Sequence, residues 1–492
     1  MSKGKVLAVS LIVAAAFGSS CKNMLTGTEA APPSAQQAPP EPVVVNGMRT
    51  SYADVVEKTS PAVVQIRMEK KEAAPRGGNI QGFPFPFPFG QNPSQGGQQP
   101  RIERGAGSGV IVAADGTILT NNHVVDGADK ITVFTSDNKS YTAKIVGTDK
   151  LSDLAVIKIE AENLPFLSLG DSDKVRVGDI VLAIGNPLDI GESVTAGIIS
   201  AKGRHTGLSD GSFEDFLQTD APINRGNSGG ALVNLNGELI GINSQIASEG
   251  GQGNIGIGFS IPSNMCRNVM DQLIKEGKVK RGMLGINIQN ISPDIAESLG
   301  LNGTSGVLIS GVKPAGAADK AGLKVKDVIT AINGEKIEDP NSLRVKVASS
   351  APGTQITVTI LRDGKSQDIQ ATLDEFNLGP DGTDNGKKND NGTDDSPGEG
   401  GKLGVTLEPV TPQIAKQLGL DGTNGVVVSD VDPNGPAAEA GIARGDVILE
   451  VNNKPVTGTA DVKAALDAGK DKPVLLFISR RGQTSFLTVR PQ

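Results

Sequence analysis

Thr219-Asp220-Ala221-Pro222-Ile223-Asn224-Arg225-Gly226-Asn227-Ser228-Gly229-Gly230-Ala231-Leu232 places a serine inside a Gly-Asn-Ser-Gly-Gly turn, with a hydrophobic strand pattern resuming at Ala231. Glycines on both sides let the backbone bend sharply, so that its N–H groups can converge beside the Ser228 hydroxyl. An acyl-transfer nucleophile with an oxyanion hole needs that convergence. Taken alone, the same residues also read as a plain hairpin turn. Through Gly226, Ser228 and Gly230 they fit the Gly-x-Ser-x-Gly elbow of α/β-hydrolases as well. The rest of the chain decides among the three.

A serine nucleophile needs a base, nearly always histidine, and the chain has only 2 His, His123 and His205, both upstream of Ser228. The hydrolase elbow requires the order Ser, acid, His, so chain order removes it. The order His, Asp, Ser stays open. His123 stands in Thr120-Asn-Asn-His-Val-Val just after a strand pattern, and Asp153 stands in Ser152-Asp-Leu-Ala-Val-Ile-Lys-Ile at the mouth of another. His205, in Lys202-Gly-Arg-His-Thr-Gly, reads as an exposed loop residue. Singly, His123 fits a structural histidine and Asp153 a strand cap; the joint pattern is what points to chemistry.

Between Gly107 and Ile261 short apolar runs such as Gly109-Val-Ile-Val-Ala, Ile131-Thr-Val-Phe, Leu154-Ala-Val-Ile-Lys-Ile and Ile180-Val-Leu-Ala-Ile-Gly alternate with turn residues, without helical patterns between them. That spacing predicts a sandwich or closed barrels. A short helix leads into a strand between Tyr52 and Met68, and a helical pattern at Asn264 to Glu276 ends the domain. Periodicity is lost from Lys70 to Arg104, where Gly82 to Gly90 carries four phenylalanines. These either anchor another subunit or fold back on their own domain. Downstream, the segment opening at Gly306 recurs without a gap at Gly425, each copy reading as strand, turn, Ala-rich helix and Asp-Val-Ile strand. That is a module spacing, not a solenoid period.

With 492 residues the chain exceeds one core. A net charge of -8 argues against nucleic acid as main partner, and 2 His with 2 Cys leave no basis for a zinc site or disulfide scaffold. No cofactor or metal is expected, nor a nucleotide loop of Gly-x-x-x-x-Gly-Lys-Ser/Thr type. Lys3 and Lys5 precede an apolar run from Val6 to Phe17 and then Gly18-Ser-Ser-Cys21, an export signal rather than a membrane span. The small residues before Cys21 resemble a lipoprotein signal, with Gly18 where leucine is usual, so acylation of Cys21 stands beside ordinary cleavage. Cys266 reads as a small buried hydrophobe.

Thr120-Asn-Asn-His-Val-Val, Ser152-Asp-Leu-Ala-Val-Ile-Lys-Ile, Ile184-Gly-Asn-Pro, the Ser228 stretch, Gly256-Ile-Gly-Phe-Ser-Ile-Pro and Arg281-Gly-Met-Leu-Gly-Ile together resemble the HtrA (Do, DegP-like) serine proteases. Pro222, where the family often has Ala, is a minor departure. The resemblance covers the chain from about Tyr52 onward and implies a mainly β fold: a chymotrypsin-like double β-barrel followed by two α+β PDZ domains. The expected layout is a signal over 1–21, a tether over 22–47, a protease domain over 48–277 with a flexible loop at 70–104, PDZ domains over 281–376 and 401–492, and a linker at 377–400. By position it implies Ser228 as nucleophile, His123 as general base and acid, and Asp153 as orienting carboxylate. Gly226, Ser228 and also Asn227 would form the oxyanion hole. Ile223 with Asn254, Ile255, Gly256, Ile257 and Phe259 would line a small specificity pocket, and Arg204 would belong to an activation loop. Arg281, Gly282, Met283, Leu284, Gly285 and Ile286, and Lys402, Leu403, Gly404 and Val405, would be the PDZ carboxylate loops. The implied activity is ATP-independent degradation of misfolded exported proteins in the periplasm, with C-terminal peptides as PDZ ligands. A homotrimer growing into cages, and membrane attachment through a Cys21 lipid, complete the expectation. A holdase scaffold with minor proteolysis, or a signalling protease for one client, are the alternatives.

Overall fold

The apolar runs of the first half become strands, several of them, such as Leu154–Ile159 and Ile180–Gly185, buried along nearly their whole length. The computed structural model describes residues 44–45, 48–49, 51–72, 101–186, 191–207, 212–224, 226–247, 253–377, 403–418, 420, 422–468 and 473–490. The signal with Cys21, the phenylalanine run, the linker from residue 378 and Lys402 lie outside them. After a small ladder of β1 (Val44–Val45) with β2 (Met48–Arg49), helix α1 (Ala53–Thr59) leads into the first barrel. Its strands are β3 (Val63–Glu72), β4 (Arg101–Ala113), β5 (Thr117–Thr120), β6 (Lys130–Phe134), β7 (Ser140–Asp149) and β8 (Leu154–Ile159), with α2 (Asn122–Val125) after β5. They close in the order β3-β4-β5-β8-β7-β6. The second barrel uses β9 (Ile180–Gly185), β10 (Ser193–Arg204), β11 (Phe216–Thr219), β12 (Ala231–Asn234), β13 (Leu239–Ile246) and β14 (Gly258–Pro262), closed as β10-β11-β14-β13-β12-β9. Val64, Ile66, Ile118 and Val156 from the first barrel share one buried cluster with Leu182, Ile184, Ala231 and Ile242 from the second, so the two are packed together.

The expected loop at 70–104 is shorter than its composition implies. β3 and β4 stay paired through Lys70↔Glu103 and Glu72↔Arg101. Helix α3 (Ser263–Glu276) closes the domain, ends at Gly277 in the left-handed region (φ 70°) and buries Cys266.

The repeat folds twice into the same unit. In the first, β15 (Gly282–Met283), β16 (Ile286–Gln289), α4 (Pro293–Leu299), β17 (Val307–Val312), α5 (Ala317–Ala321), β18 (Val328–Ile332), β19 (Glu335–Lys336), α6 (Pro340–Ala348), β20 (Gln355–Arg362), β21 (Lys365–Thr372) and β22 (Asp374–Glu375) follow one another. In the second come β23 (Val405–Pro409), α7 (Pro412–Leu418), β24 (Val426–Val431), α8 (Pro436–Glu439), β25 (Val447–Val451), β26 (Lys454–Pro455), α9 (Thr459–Ala468), β27 (Val474–Arg480) and β28 (Gln483–Val489). The sheet orders match, β16-β17-β18-β20-β21 against β23-β24-β25-β27-β28. So do details: the buried carboxylates Asp327 and Asp446 accept from Arg362 Nε and Arg480 Nε, each at 2.6 Å. Charge-assisted, near-bidentate pairs of this kind fix geometry as well as adding stability.

Candidate active site

Asp153 is the residue the site is built on. Its φ of 53° is left-handed, a conformation costing a non-glycine residue of order 1–3 kcal/mol unless its surroundings enforce it. The two asparagines ahead of His123 do so. Asn121 Nδ2 and the Asn122 N–H both donate to the Asp153 carbonyl at 3.1 Å. The carboxylate is thereby turned onto α2, where it accepts from the His123 N–H at 3.0 Å and meets His123 Nδ1 at 3.0 and 2.8 Å through its two oxygens. A carboxylate can only accept, so the Nδ1 proton lies in this contact and Nε2 is left as the basic nitrogen.

Ser244, on β13 of the second barrel, was not among the sequence candidates. Its hydroxyl donates to Asp153 Oδ2 at 2.9 Å, and its carbonyl accepts from the Ser228 hydroxyl at 3.1 Å. One residue thus touches both the carboxylate and the serine and brings them to the junction of the barrels. The signal for it is slight, a serine within an otherwise buried strand pattern (Leu239-Ile-Gly-Ile-Asn-Ser).

The Ser228 turn is held by close backbone packing. A Cβ on Gly229 (φ 82°) would lie 2.1 Å from the Ser108 carbonyl, so only glycine fits. Gly229 N–H donates to the Asn243 carbonyl at 2.7 Å, and the Ser228 carbonyl accepts from Ser108 N–H at 2.8 Å. Asn227 is corrected as an oxyanion donor: its N–H is spent on the Asn224 carbonyl at 3.0 Å. Gly226 (φ 97°) and Ser228 remain as the candidate donor pair.

Around the expected pocket, Ile223 is buried, and a Cβ on Gly258 would lie 2.8 Å from its Cδ1. Asn254 ties the walls together, donating through Nδ2 to the Ile223 carbonyl at 2.9 Å and accepting at Oδ1 from Gly256 N–H at 2.5 Å and Ile257 N–H at 3.1 Å. Ile255 is 52% exposed, while Phe259 packs into the core on Phe216, ring centroids 5.7 Å apart. Arg204 Nε donates to Gln218 Oε1 at 3.0 Å. His205 is not the bland loop residue it reads as: its Nδ1 lies 3.0 Å from Oε2 of the buried Glu214. It makes no contact with the Asp153–His123 pair among the described residues.

In the first expected carboxylate loop Gly285 (φ 73°) accepts from Lys313 N–H, and in the second Gly404 (φ 71°) accepts from Asp432 N–H, both at 2.8 Å. Leu284 and Leu403 are buried anchors, Ile286 opens edge strand β16, and Val405 opens β23. Two expectations are corrected here. The Arg281 guanidinium is buried against the protease domain, with Nη1 donating to Asp149 Oδ1 at 3.0 Å, and is not presented to a ligand. Gly282 N–H goes to the Ser350 carbonyl at 2.9 Å, while Met283 pairs with Asp374.

Among the described residues no group of three His, Cys, Asp or Glu is placed to hold a metal. The fold and site define a trypsin-like peptidase with two PDZ domains appended. Residues 107–242 match the trypsin-like peptidase domain, and residues 282–373 and 427–480 each match a PDZ domain. The chain is 41% identical over 451 residues to a probable periplasmic serine protease do/HhoA-like of Haemophilus influenzae, covering 90% of this chain and 92% of that one. It is 42% identical over 455 residues to a probable periplasmic serine endoprotease DegP-like of Chlamydia trachomatis, covering 89% and 88%. The solved HtrA-type protease AlgW with decapeptide superposes with a TM-score of 0.53 at 42% identity, over 67% of this chain and 99% of that one. The chain belongs to the HtrA (Do, DegP-like) family of serine proteases.

Proposed function

We propose that the chain is an exported, periplasmic endoprotease of misfolded proteins that cleaves with Ser228, His123 and Asp153. The observation that carries this reading is the continuous contact from the His123 ring through Asp153 to Ser244 and on to the Ser228 hydroxyl. Turning that hydroxyl from the Ser244 carbonyl toward Nε2 lets the imidazole take its proton as Oγ attacks the scissile carbonyl. The imidazolium that forms is stabilised by Asp153, then returns the proton to the leaving amine. Gly226 and Ser228 N–H groups meet the oxyanion, a donor of this kind being worth about 3 kcal/mol of barrier. Ile223 and the Asn254–Ile257 wall favour small aliphatic side chains before the cut.

Edge strand β16 and the Leu284–Ile286 loop accept the C-terminus of a substrate as an added strand, its carboxylate taken by loop N–H groups rather than by Arg281. Ser228→Ala is expected to abolish casein cleavage while peptide binding to the PDZ domains persists. Cleavage by that variant at the wild-type rate would remove Ser228 as nucleophile.

A further inference from the structure

Ser108, in Gly107-Ser-Gly of β4, belongs to the first barrel yet is completely buried against the nucleophile turn of the second. Its hydroxyl donates to the Gly226 carbonyl at 2.6 Å and accepts from Asn186 N–H at 2.8 Å. Its backbone N–H holds the Ser228 carbonyl, and its own carbonyl accepts from the Thr120 hydroxyl at 2.7 Å. The peptide plane joining Gly226 to Asn227 is therefore pinned at both polar ends, its C=O by Ser108 Oγ and its N–H by the Asn224 carbonyl. That plane lies directly between the two oxyanion donors. Glycine, free to rotate at φ 97°, supplies no restraint of its own.

We infer that Ser108 is a positioning residue for acyl transfer, its hydroxyl fixing the Gly226–Asn227 peptide so that the Gly226 and Ser228 N–H groups stay aimed at the developing oxyanion. This rests on Ser228 being the nucleophile. Without the hydroxyl, the buried Gly226 carbonyl and the part-buried Asn186 N–H lose this partner, and the plane is held at its N–H end alone. The substrate-binding walls at Ile223 and Asn254 make no hydrogen bond to Ser108, so ground-state binding is untouched.

The test is steady-state kinetics of the full chain on a peptide with a small aliphatic residue before the scissile bond. Ser108→Ala and the near-isosteric Ser108→Cys, a poor donor, should lower kcat about 10–100-fold with KM within about twofold. A peptidyl trifluoromethyl ketone, which forms a tetrahedral adduct, should lose affinity by the same factor. Ser108→Thr, which keeps the hydroxyl, should recover most of the kcat. Unchanged kcat in both Ala and Cys variants, a loss confined to KM, or Thr no better than Ala would overturn the inference. Ser228→Ala run alongside separates the two claims: if it cleaves, the nucleophile assignment fails; if it is dead while Ser108→Ala is fully active, only the role of Ser108 fails.

Discussion

At the scale of single residues, the site depends on serines that do no covalent chemistry. Ser244 supplies one of the donors holding the Asp153 carboxylate, and hydrogen bonds to ionised groups are worth about 1.5–3 kcal/mol. Ser244→Ala deletes that donor but keeps the backbone carbonyl that receives Ser228. We expect kcat/KM to fall roughly tenfold; an unaltered kcat/KM would show that His123 and the Asn121–Asn122 cap orient Asp153 unaided. The residues that are legible in the sequence are those whose chemistry is scarce: one of two histidines, an Asp opening a strand, a Ser among glycines. Ser108 and Ser244 are not, because a serine inside a strand pattern is ordinary until pairing across two barrels shows what it faces.

The element between β10 and β11 shows the same limit on a larger scale. Glu214 is buried yet fully engaged: Oε2 accepts from Thr206 N–H at 2.7 Å and meets His205, Oε1 accepts from Ser212, and its carbonyl accepts from Asn341 on α6 at 2.7 Å. The neighbouring Asp215 is less well served. Burial first, then the negative field of Asp173, push its carboxyl up to about 6, with Lys202 opposing and Asp339 adding to the rise. A folded-state value above the unfolded one means that the fold prefers the protonated acid. The stability this contributes is fully present below about pH 4 and is lost as pH rises through 6. Asp215→Asn should therefore stabilise the chain on the order of 1–3 kcal/mol at pH 7.5 and leave it unchanged at pH 4. Urea unfolding at the two pH values checks this, and an equal effect at both would exclude ionisation as the cause. The ends of β3 and β4 are hidden in the sequence for a related reason. Glu69-Lys-Lys-Glu72 has no apolar alternation, but register sets Glu69 opposite Arg104 and Lys70 opposite Glu103, pairs of opposite charge that suit a solvent-facing ladder.

Across the whole molecule, the protease domain and its first PDZ domain meet through a buried ion pair whose carboxylate also holds Ser152, the residue before Asp153. Arg281 pairs with Asp149, both nearly inaccessible, and the same Asp149 Oδ2 accepts from Ser152 N–H at 3.0 Å, one residue before Asp153. Phe213 caps the junction, 4.8 Å from the Arg281 guanidinium and edge-on to Phe376 at 5.6 Å. The two PDZ domains are themselves joined by Leu308 and Val328 packing with Leu475 and Phe486, and by Lys326 to Glu450 at 2.6 Å. Such contacts cannot be read from spacing, because each partner lies a domain away. Breaking a buried pair by removing one member leaves an uncompensated charge, at a cost of about 3–5 kcal/mol. Asp149→Ala and Arg281→Ala should each lose stability on that scale, while the double variant loses less than the sum, since the stranded charge goes with its partner. Their kinetics should differ. Asp149→Ala also releases Ser152 and should lower kcat on a short peptide, whereas Arg281→Ala leaves the Asp149–Ser152 contact in place and should chiefly separate the melting of the PDZ domain from that of the protease. Calorimetry and peptide turnover on the three variants test both halves, and strictly additive losses with equal kcat would show that the junction is glue with no line to Asp153.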